Sequence, residues 1–385
     1  MHFLKLILRN ALRHKLRTFL TVLGIMVAIL SFGLLQSIVQ AWYSGAAAAA
    51  PTRLITRNAI SLTFPLPLFY RAKIKAVDGV KSVAIANWFG GVYQDARNFF
   101  PQFAVDAVPY FAAYPEFIVP PDDFAAFLRD RKGAIVGRRL AEQYGFKVGD
   151  TVPLKGQIFP GTWEFTVRGI YDGRETRTDT ATFFFHWQYL NERMQKTAPG
   201  RANQVGVFVV DIEDPDRSAE ISEQIDAVFR NSTAETRTET EQAFQLGFVA
   251  MSGAIVTAIR IVSFVVIAII LAVMANTMAM TARERMSEYA TLKALGFPPG
   301  YVGWLIVGES LAIALIGAAI GVALSFPVGA WFASQVGAMF PVFEVSRETV
   351  LAQFACAAAV GLLAAVLPVR RAAKVNIVEG LRAIG

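Results

Sequence analysis

Four long apolar runs constrain this chain more than any other feature of its sequence. They lie within residues 18–40, 254–280, 301–332 and 349–369. Each is close to or above the roughly 20 residues that a helix needs to cross about 30 Å of hydrocarbon. Charged residues make up only 17% of the chain, against roughly 25% in soluble proteins. The sequence therefore predicts an α-helical membrane protein with four transmembrane helices.

The distribution of basic residues predicts how these helices are oriented. The leader 1–17, the loop 281–300 and the tail 370–385 together hold twelve basic and three acidic residues, whereas 41–250 holds 23 basic and 24 acidic residues. Because basic loops stay on the cytoplasmic side, both termini are expected inside. Residues 41–250 and the short outer loop 333–348 are expected on the outer side of the membrane. The positive net charge thus reflects topology and predicts no nucleic-acid partner.

The first apolar run resembles a signal peptide in having a basic leader before it. Its 23 residues without a charge exceed a signal-peptide core of about 7 to 15 residues, so an uncleaved helix is expected. The leader carries Lys5, Arg9, Arg13 and Arg17 at four-residue spacing with leucines between them. This pattern predicts an amphipathic helix on the inner membrane surface, either as a topology anchor or as a specific lipid-binding segment.

The large segment 41–250 has the pattern of a folded α+β domain. Pieces 51–110 and 201–240 each read as β-α-β and are expected to form one porter-like subdomain. The intervening part, about 111–200, is rich in turn residues and is expected to be an inserted β-rich subdomain. Residues 239–253 read as a helical stalk leading toward the second apolar run.

Chemical motifs for catalysis are missing from the sequence. Cys356, the only cysteine, lies in the fourth apolar run. The sequence contains no His-Glu-x-x-His motif, no metal-ligand spacing of Cys and His, and no Gly-x-Ser-x-Gly nucleophile elbow. We therefore expect a non-enzymatic protein without catalytic, cofactor-binding or metal-binding residues.

Glu309 is an acid well inside the third apolar run. Ionisable residues within membrane spans are costly and are functional candidates by default. The expected partners are a leader arginine or the side chains of Asn276 or Thr277, which would lock the inner ends of the helices together. A role in proton transport is the alternative.

Small residues recur at four-residue spacing in the third and fourth runs. The positions are Gly317, Gly321 and Ser325, and then Ala357, Gly361 and Ala365. Such stripes allow helices to approach closely. They are expected to pack helices within the chain or against a second copy of it.

Three segments carry a family resemblance. They are ALRHKLRTFLT at residues 11–21, ERMSEYATLKALG at 284–296, and PVRRAAK at 368–374 followed by EGLR at 379–382. Together with AIVGRRLAEQYGFKVGDTVPL at 134–154, they resemble the MacB/FtsX/LolC family of ABC-transporter permeases, also called mechanotransmission permeases. The resemblance covers nearly the whole chain and implies a bacterial inner-membrane protein with residues 41–250 in the periplasm.

The resemblance implies that the charged loop 283–296 is a coupling helix that docks on a cytoplasmic ATPase. The side chains expected to be buried there are Met286, Tyr289, Ala290 and Leu292, with charged neighbours at the rim. The full set assigned to ATPase coupling is Arg283, Glu284, Arg285, Met286, Glu288, Tyr289, Leu292, Lys293 and Gly296. A charged connector lying on lipid headgroups is the alternative.

The chain departs from MacB in having no phosphate-binding Gly-x-x-x-x-Gly-Lys-Ser/Thr loop. We therefore expect a stand-alone permease subunit, with no cofactor of its own and with ATP-Mg bound by a separate dimeric ATPase. A second permease copy, membrane lipid, a periplasmic adaptor and an outer-membrane channel are the other implied partners. The expected function is export of amphiphilic drugs, lipids or peptides. FtsX-like signalling to a cell-wall hydrolase and LolC-like lipoprotein release are the alternatives.

Overall fold

A computed structural model describes residues 15–95, 97–175, 178–336 and 343–374. The chain divides into two compact units. The membrane unit comprises Met1–Ala41, Ser252–Gln335 and Phe343–Gly385, and the sheet unit comprises Trp42–Met251 and Val336–Val342. Most of the predicted leader and tail, and part of the outer loop, lie outside the described residues.

Helices and strands alternate through the sheet unit and give way to long helices in the membrane unit. The helices of the described residues are α1 (Lys15–Ala48), α2 (Tyr70–Lys75), α3 (Ala107–Ala113), α4 (Pro121–Arg129), α5 (Arg138–Tyr144), α6 (Trp187–Thr197), α7 (Ser218–Val228), α8 (Glu241–Met251), α9 (Gly253–Glu284), α10 (Met286–Ala294), α11 (Pro299–Val336) and α12 (Arg347–Ala373). The strands are β1 (Arg53–Asn58), β2 (Leu66–Pro67), β3 (Val80–Trp88), β4 (Gly91–Val92), β5 (Gln102–Val105), β6 (Phe117–Ile118), β7 (Gly133–Gly137), β8 (Thr151–Gly156), β9 (Gly161–Gly173), β10 (Phe183–His186), β11 (Gln204–Val205), β12 (Val207–Ile212) and β13 (Thr236–Thr240).

Four helices are long and apolar enough to cross a membrane: α1, α9, α11 and α12. They contain 34, 32, 38 and 27 residues, which exceeds the roughly 20 that a span requires. Each helix extends past the apolar run that marks it in the sequence. Lys15 to Arg17 already belong to α1, so the last turn of the predicted leader is continuous with this helix.

The sheet unit is built on one eleven-stranded sheet. Its strand order is β13-β1-β12-β3-β5-β10-β7-β9-β8-β4, with β6 paired to β9, and β2 and β11 form a separate two-stranded sheet. Strand β5 pairs in parallel with β10, and β10 pairs antiparallel with β7. The strands of the predicted insertion at 111–200 pair with those of the flanking pieces, so this segment continues the same sheet.

Both faces of this sheet are buried. Along β10, Phe183 and Phe185 belong to one hydrophobic cluster, and Phe184 belongs to a second cluster. The same alternation occurs in β1, where Leu54 and Ile55 belong to different clusters. Since successive side chains of a strand point to opposite faces, the sheet forms the middle layer between two packed cores.

The predicted stalk differs from the observed structure at both ends. Residues Glu239 and Thr240 belong to β13 rather than to a helix. Helix α8 begins at Glu241 and ends at Met251, and α9 begins only at Gly253. The chain therefore has two consecutive helices with a break at Ser252, rather than one uninterrupted stalk-to-membrane helix.

A buried ion cluster joins the first strand of the sheet to the start of α8. The Nε atom of Arg53 lies 2.6 Å from Oε2 of Glu241, and its Nη2 atom lies 2.7 Å from Oε1 of Glu116. The guanidinium also lies 4.2 Å from the centre of the Tyr114 ring, and the Tyr114 hydroxyl donates to Glu241 at 2.9 Å. Arg53 is 3% exposed and Glu241 is 6% exposed. The pairing of β1 with β13 places these segments side by side.

Candidate functional site

The loop between α9 and α11 folds as the nine-residue helix α10. It ends in a Schellman motif: the amide of Gly296 donates to the carbonyl of Lys293 at 3.0 Å, and the amide of Phe297 donates to that of Leu292 at 3.1 Å. Gly296 has a φ angle of +90°, a conformation that favours glycine at the end of a helix. The sequence Leu-Gly-Phe therefore fixes where this helix stops.

Arg285, immediately before α10, lies at the centre of a buried charge cluster. Its Nη1 atom donates to Oε2 of Glu309 in α11 at 2.7 Å, and its Nε atom donates to Oε2 of Glu288 at 2.8 Å. The guanidinium also lies 5.5 Å from the centre of the Tyr289 ring. Arg285 and Glu309 are 7% and 4% exposed. Arg285 therefore connects α10 to α11. The sequence had suggested an exposed position for it at the rim of a partner contact, and this position is not observed.

The expected partners of Glu309 are only partly tested by the structure. Asn276 is exposed, and the Thr277 hydroxyl donates to the Val273 carbonyl of its own helix at 2.9 Å. A partner that the structure does give Glu309 is Arg285, which was not among those predicted. The leader residues before Lys15 lie outside the described residues. Arg285 could have been proposed as a partner of Glu309 from the sequence, because the basic loop 283–285 precedes the inner end of the third apolar run.

Two further contacts connect this region to α1 and α12. Glu284, the last residue of α9, accepts two hydrogen bonds of 2.7 Å from Arg17 of α1, a bidentate geometry that fixes direction as well as distance. Lys293 of α10 donates to the carbonyl of Ala373, the last residue of α12, at 2.9 Å. Three charged side chains around α10 thus contact three long helices.

The face of α10 predicted to dock on a partner is already used inside the chain. Tyr289 and Ala290 are 2% and 0% exposed, and Tyr289 belongs to the hydrophobic core of the membrane unit. Met286 and Leu292 pack partly against the same core. Burial raises the pKa of the Tyr289 hydroxyl to about 12. These four side chains therefore anchor α10 to its own bundle.

The surface left exposed by α10 lies at its C-terminal end. Leu295 is 71% exposed and Phe297 is 40% exposed, on either side of Gly296. Arg283 is also exposed. Gly296 was predicted to lie on this surface, but its two apolar neighbours were not. Two large apolar residues beside a charged helix indicate a contact surface.

The small residues of α11 pack against α1. A Cβ atom on Gly317 would lie 2.8 Å from Cβ of Ile25, and one on Gly321 would lie 2.8 Å from the carbonyl oxygen of Met26. These distances are too short for any side chain. The two glycines therefore permit a close approach of helices within the chain.

The remaining small residues also lie inside the bundle. A Cβ atom on Gly361 would lie 3.1 Å from Cβ of Ala314, and Ser325 accepts a hydrogen bond of 3.0 Å from Gln353 of α12. Ala357 and Ala365 of the fourth run are both 0% exposed. These stripes are occupied by intrachain contacts, which corrects their alternative assignment to a dimer surface.

The side chains that could bind a metal ion are the next feature of the site. Within the described ranges, no group of three or more His, Cys, Asp and Glu side chains is arranged to hold a metal ion. His186 is buried in β10 and contacts the Phe127 carbonyl through Nε2 at 2.8 Å, and burial lowers the pKa of its imidazole. His186 therefore has the surroundings of a core residue.

Two protein-family models match the chain. The MacB-like periplasmic core domain matches residues 18–228, which is more than half of the chain, and the FtsX-like permease C-terminal domain matches residues 260–377. The second match contains α10, Glu309 and the small-residue stripes. The two matches follow one another in sequence and together include both units.

Similar proteins include full-length and partial matches. An uncharacterised ABC transporter permease of Methanocaldococcus jannaschii is 25% identical, with 97% of this chain and 96% of that protein covered. The macrolide export ATP-binding/permease protein MacB of Shewanella oneidensis is 35% identical over 33% of this chain and 19% of its own length. A permease of Mycobacterium tuberculosis is 24% identical over 54% of this chain and 23% of its own length. The chain thus spans only about a fifth of the latter two proteins.

The solved structures that resemble part of this chain include the extracytoplasmic domains of two transporters. The extracellular domain of the transporter YknZ from Gram-positive bacteria gives a TM-score of 0.36 at 15% identity, with 49% of this chain and 100% of that domain covered. The periplasmic region of MacB from Actinobacillus actinomycetemcomitans gives 0.36 at 9% identity, with 52% and 94% covered.

The family assignment rests on the two domain matches and on the four membrane-spanning candidates. The first match includes most of α1 and most of the sheet unit, and the second runs from within α9 through α12. The full-length relative carries the same description as a permease. The chain therefore belongs to the MacB/FtsX family of ABC transporter permeases and is a multi-pass membrane protein.

Proposed function

We propose that this chain is a permease subunit that converts ATP hydrolysis by a separate cytoplasmic ATPase into movement of its sheet unit. In this proposal both termini and α10 lie in the cytoplasm, and the sheet unit lies in the periplasm. The observation that carries the proposal is the position of α10. It is anchored to the bundle by Tyr289, is linked to α11 through Arg285, and leaves Leu295 exposed.

The exposed end of α10 suits a docking role. Apolar side chains surrounded by charged ones are typical of the centre and rim of a protein interface. Leu295 and Phe297 would fill a groove on the ATPase, with Arg283 at the rim.

The contacts around α10 support transmission of a push. Arg285 and Lys293 donate to Glu309 of α11 and to the Ala373 carbonyl of α12, respectively. Arg17 of α1 donates to Glu284, which precedes α10 at the end of α9. Because packed helices move as bodies rather than deforming continuously, displacement of α10 would shift the bundle. Two permease copies and a dimeric ATPase would make the smallest working assembly.

Export of amphiphiles is the proposed outcome of this movement. The MacB relative is described as a macrolide export protein, and we propose the same class of activity here, with an adaptor and an outer-membrane channel completing the path. Signalling to a cell-wall hydrolase and lipoprotein release would use the same movement. Purification of the native assembly would distinguish these outcomes by the partner that accompanies the chain.

Site-specific photocrosslinking tests the docking role. We expect p-benzoylphenylalanine in place of Leu295 to crosslink an ABC-type ATPase in cells, identified by mass spectrometry. The matched control is Leu351 near the start of α12, because the two leucines are 71% and 69% exposed and lie at opposite ends of the bundle. Crosslinks of Leu295 to lipid alone, or equal ATPase crosslinks from both positions, would contradict the proposal.

A further inference from the structure

An uncharged stretch of the sheet unit exposes several large apolar side chains. No residue between positions 58 and 70 is ionisable at neutral pH. Within it, Ile60 is 82% exposed, Phe64 is 53% exposed and Phe69 is 62% exposed. Scattered apolar side chains are normal on a protein surface, but a continuous group of them marks a binding surface.

These side chains line a cavity of about 570 Å³. Residues 202–204 and 233–234 complete its walls. The lining is mostly apolar, with a few amide and hydroxyl groups and no ionisable side chain. This size and chemistry match small-molecule sites, which are typically about 300–1,000 Å³ and mainly apolar with a few polar groups.

The walls of the cavity are held in place without a ligand. Strands β2 and β11 pair across it, with Leu66 opposite Val205. Asn203 has a φ angle of +57° and is fixed by Asn191, whose Oδ1 accepts from its amide at 2.6 Å and whose Nδ2 donates to its Oδ1 at 3.0 Å. Rigid walls lower the entropic cost of binding.

Asn58 supplies a hydrogen-bond donor at this cavity. It is 5% exposed, and its Oδ1 accepts from the amide of Ile60 at 3.0 Å. This contact fixes the side-chain orientation, and Nδ2 has no hydrogen-bond partner among the residues that the structure describes. An acceptor on a ligand would replace water at Nδ2, and this exchange gives a modest net gain in affinity.

The cavity lies away from the connections to α1 and α8. Strand β1 begins at Arg53, beside the start of α8, and ends at Asn58 beside the cavity. A ligand can therefore occupy the cavity without displacing the Arg53 cluster.

We propose that this cavity binds a neutral amphiphile. The apolar chain lies against Ile60, Phe64 and Phe69, and a carbonyl or hydroxyl oxygen accepts a hydrogen bond from Asn58 Nδ2. As a substrate site, the cavity rests on the proposed export function. Binding itself is measured without ATP or an ATPase, so the two proposals fail separately.

Photolabelling with a neutral lipid tests the site. The full chain in lipid nanodiscs is titrated with a monolauroyl glycerol that carries a diazirine in its acyl chain, and labelled peptides are quantified by mass spectrometry. We expect saturable labelling of residues 59–69 that unlabelled monolauroyl glycerol displaces. Asn58→Asp keeps an acceptor for the Ile60 amide but removes the donor, and it should weaken labelling by about two- to tenfold.

Controls separate binding in the cavity from general adsorption. Ile60→Asp should also reduce labelling of residues 59–69. Val108→Asp changes another exposed apolar residue, 61% exposed at the start of α3, and should leave it unchanged. Labelling of α9 serves as the internal standard for lipid access. Labelling that does not saturate, that is equal in Asn58→Asp and the unchanged chain, or that is equal for a dodecanoate diazirine would overturn the proposal.

Discussion

Arg285→Met is expected to destabilise the membrane unit by about 3–5 kcal/mol, because it removes the guanidinium that neutralises a buried carboxylate. Glu309 is 4% exposed and accepts from Arg285 at 2.7 Å. The free energy of unfolding is to be measured by denaturant titration in detergent micelles. Arg283→Met, at the neighbouring exposed position, should change it by less than about 1 kcal/mol.

The double variant Arg285→Met/Glu309→Met distinguishes lost charge pairing from lost packing. Replacing a whole buried ion pair by apolar residues is often close to neutral, so most of the stability should return. Glu309→Gln should keep assembly and transport if Glu309 has a structural role. If Arg285→Met costs no more than Arg283→Met, the pair does not hold α10 to α11. If Glu309→Gln assembles but abolishes transport, a proton-transport role is favoured instead.

Arg53→Met is expected to destabilise the sheet unit by a similar amount, about 3–5 kcal/mol. The substitution leaves Glu241 and Glu116 without their common guanidinium, and Glu241 is almost fully buried. Hydrogen exchange of the full chain should show faster exchange in β1 and at the start of α8. The effect is expected to be local because the pairings of β1 with β12 and β13 are not altered directly.

Arg57→Met is the matched control for Arg53. Arg57 lies in the same strand and pairs with Glu239 at 2.9 Å, but both side chains are 16% exposed. Because the pair is more accessible to water, its loss should cost about 1 kcal/mol or less. Equal effects of the two substitutions would show that burial of the Arg53 cluster contributes no special stability.

The membrane helices could be predicted from sequence because length and apolar content alone define a span. Each of 18–40, 254–280, 301–332 and 349–369 lies within a longer helix. The ends differ because a helix can continue into polar surroundings without changing its hydrogen bonds. The apolar runs therefore predicted the existence of the helices better than their ends.

The sheet could be predicted only in part. Alternation along β1, β3 and β12 identifies strands locally, but it does not state which strands pair. The pair β5 and β10 joins residues about 80 positions apart, Gln102 opposite Phe183, and no local pattern encodes that contact. The inserted subdomain was therefore predicted without its place in the shared sheet.

The candidate site could also be predicted only in part. The charged segment 283–296 could be located from sequence, because it interrupts apolar runs. Which of its faces is buried depends on the positions of α1, α11 and α12, so Tyr289 was assigned to a partner surface although it is buried in the chain itself. The cavity beside Asn58 was missed because three separate loops form it.

ATP-driven movement of the sheet unit is tested most directly by measuring the distance between two copies of the chain. Met251, which is 84% exposed at the end of α8, is changed to Cys in a Cys356→Ser background and spin-labelled. The permease is reconstituted in nanodiscs with the ATPase identified by crosslinking. Distances between labels on two copies are then measured by pulsed electron resonance, with and without ATP and vanadate.

Trapping the ATPase with ATP and vanadate is expected to shift the distance distribution. Leu295→Asp should abolish this shift while the chain still inserts in the membrane. An unchanged distribution with an active, bound ATPase would contradict the claim that α10 transmits ATP-driven movement to the sheet unit.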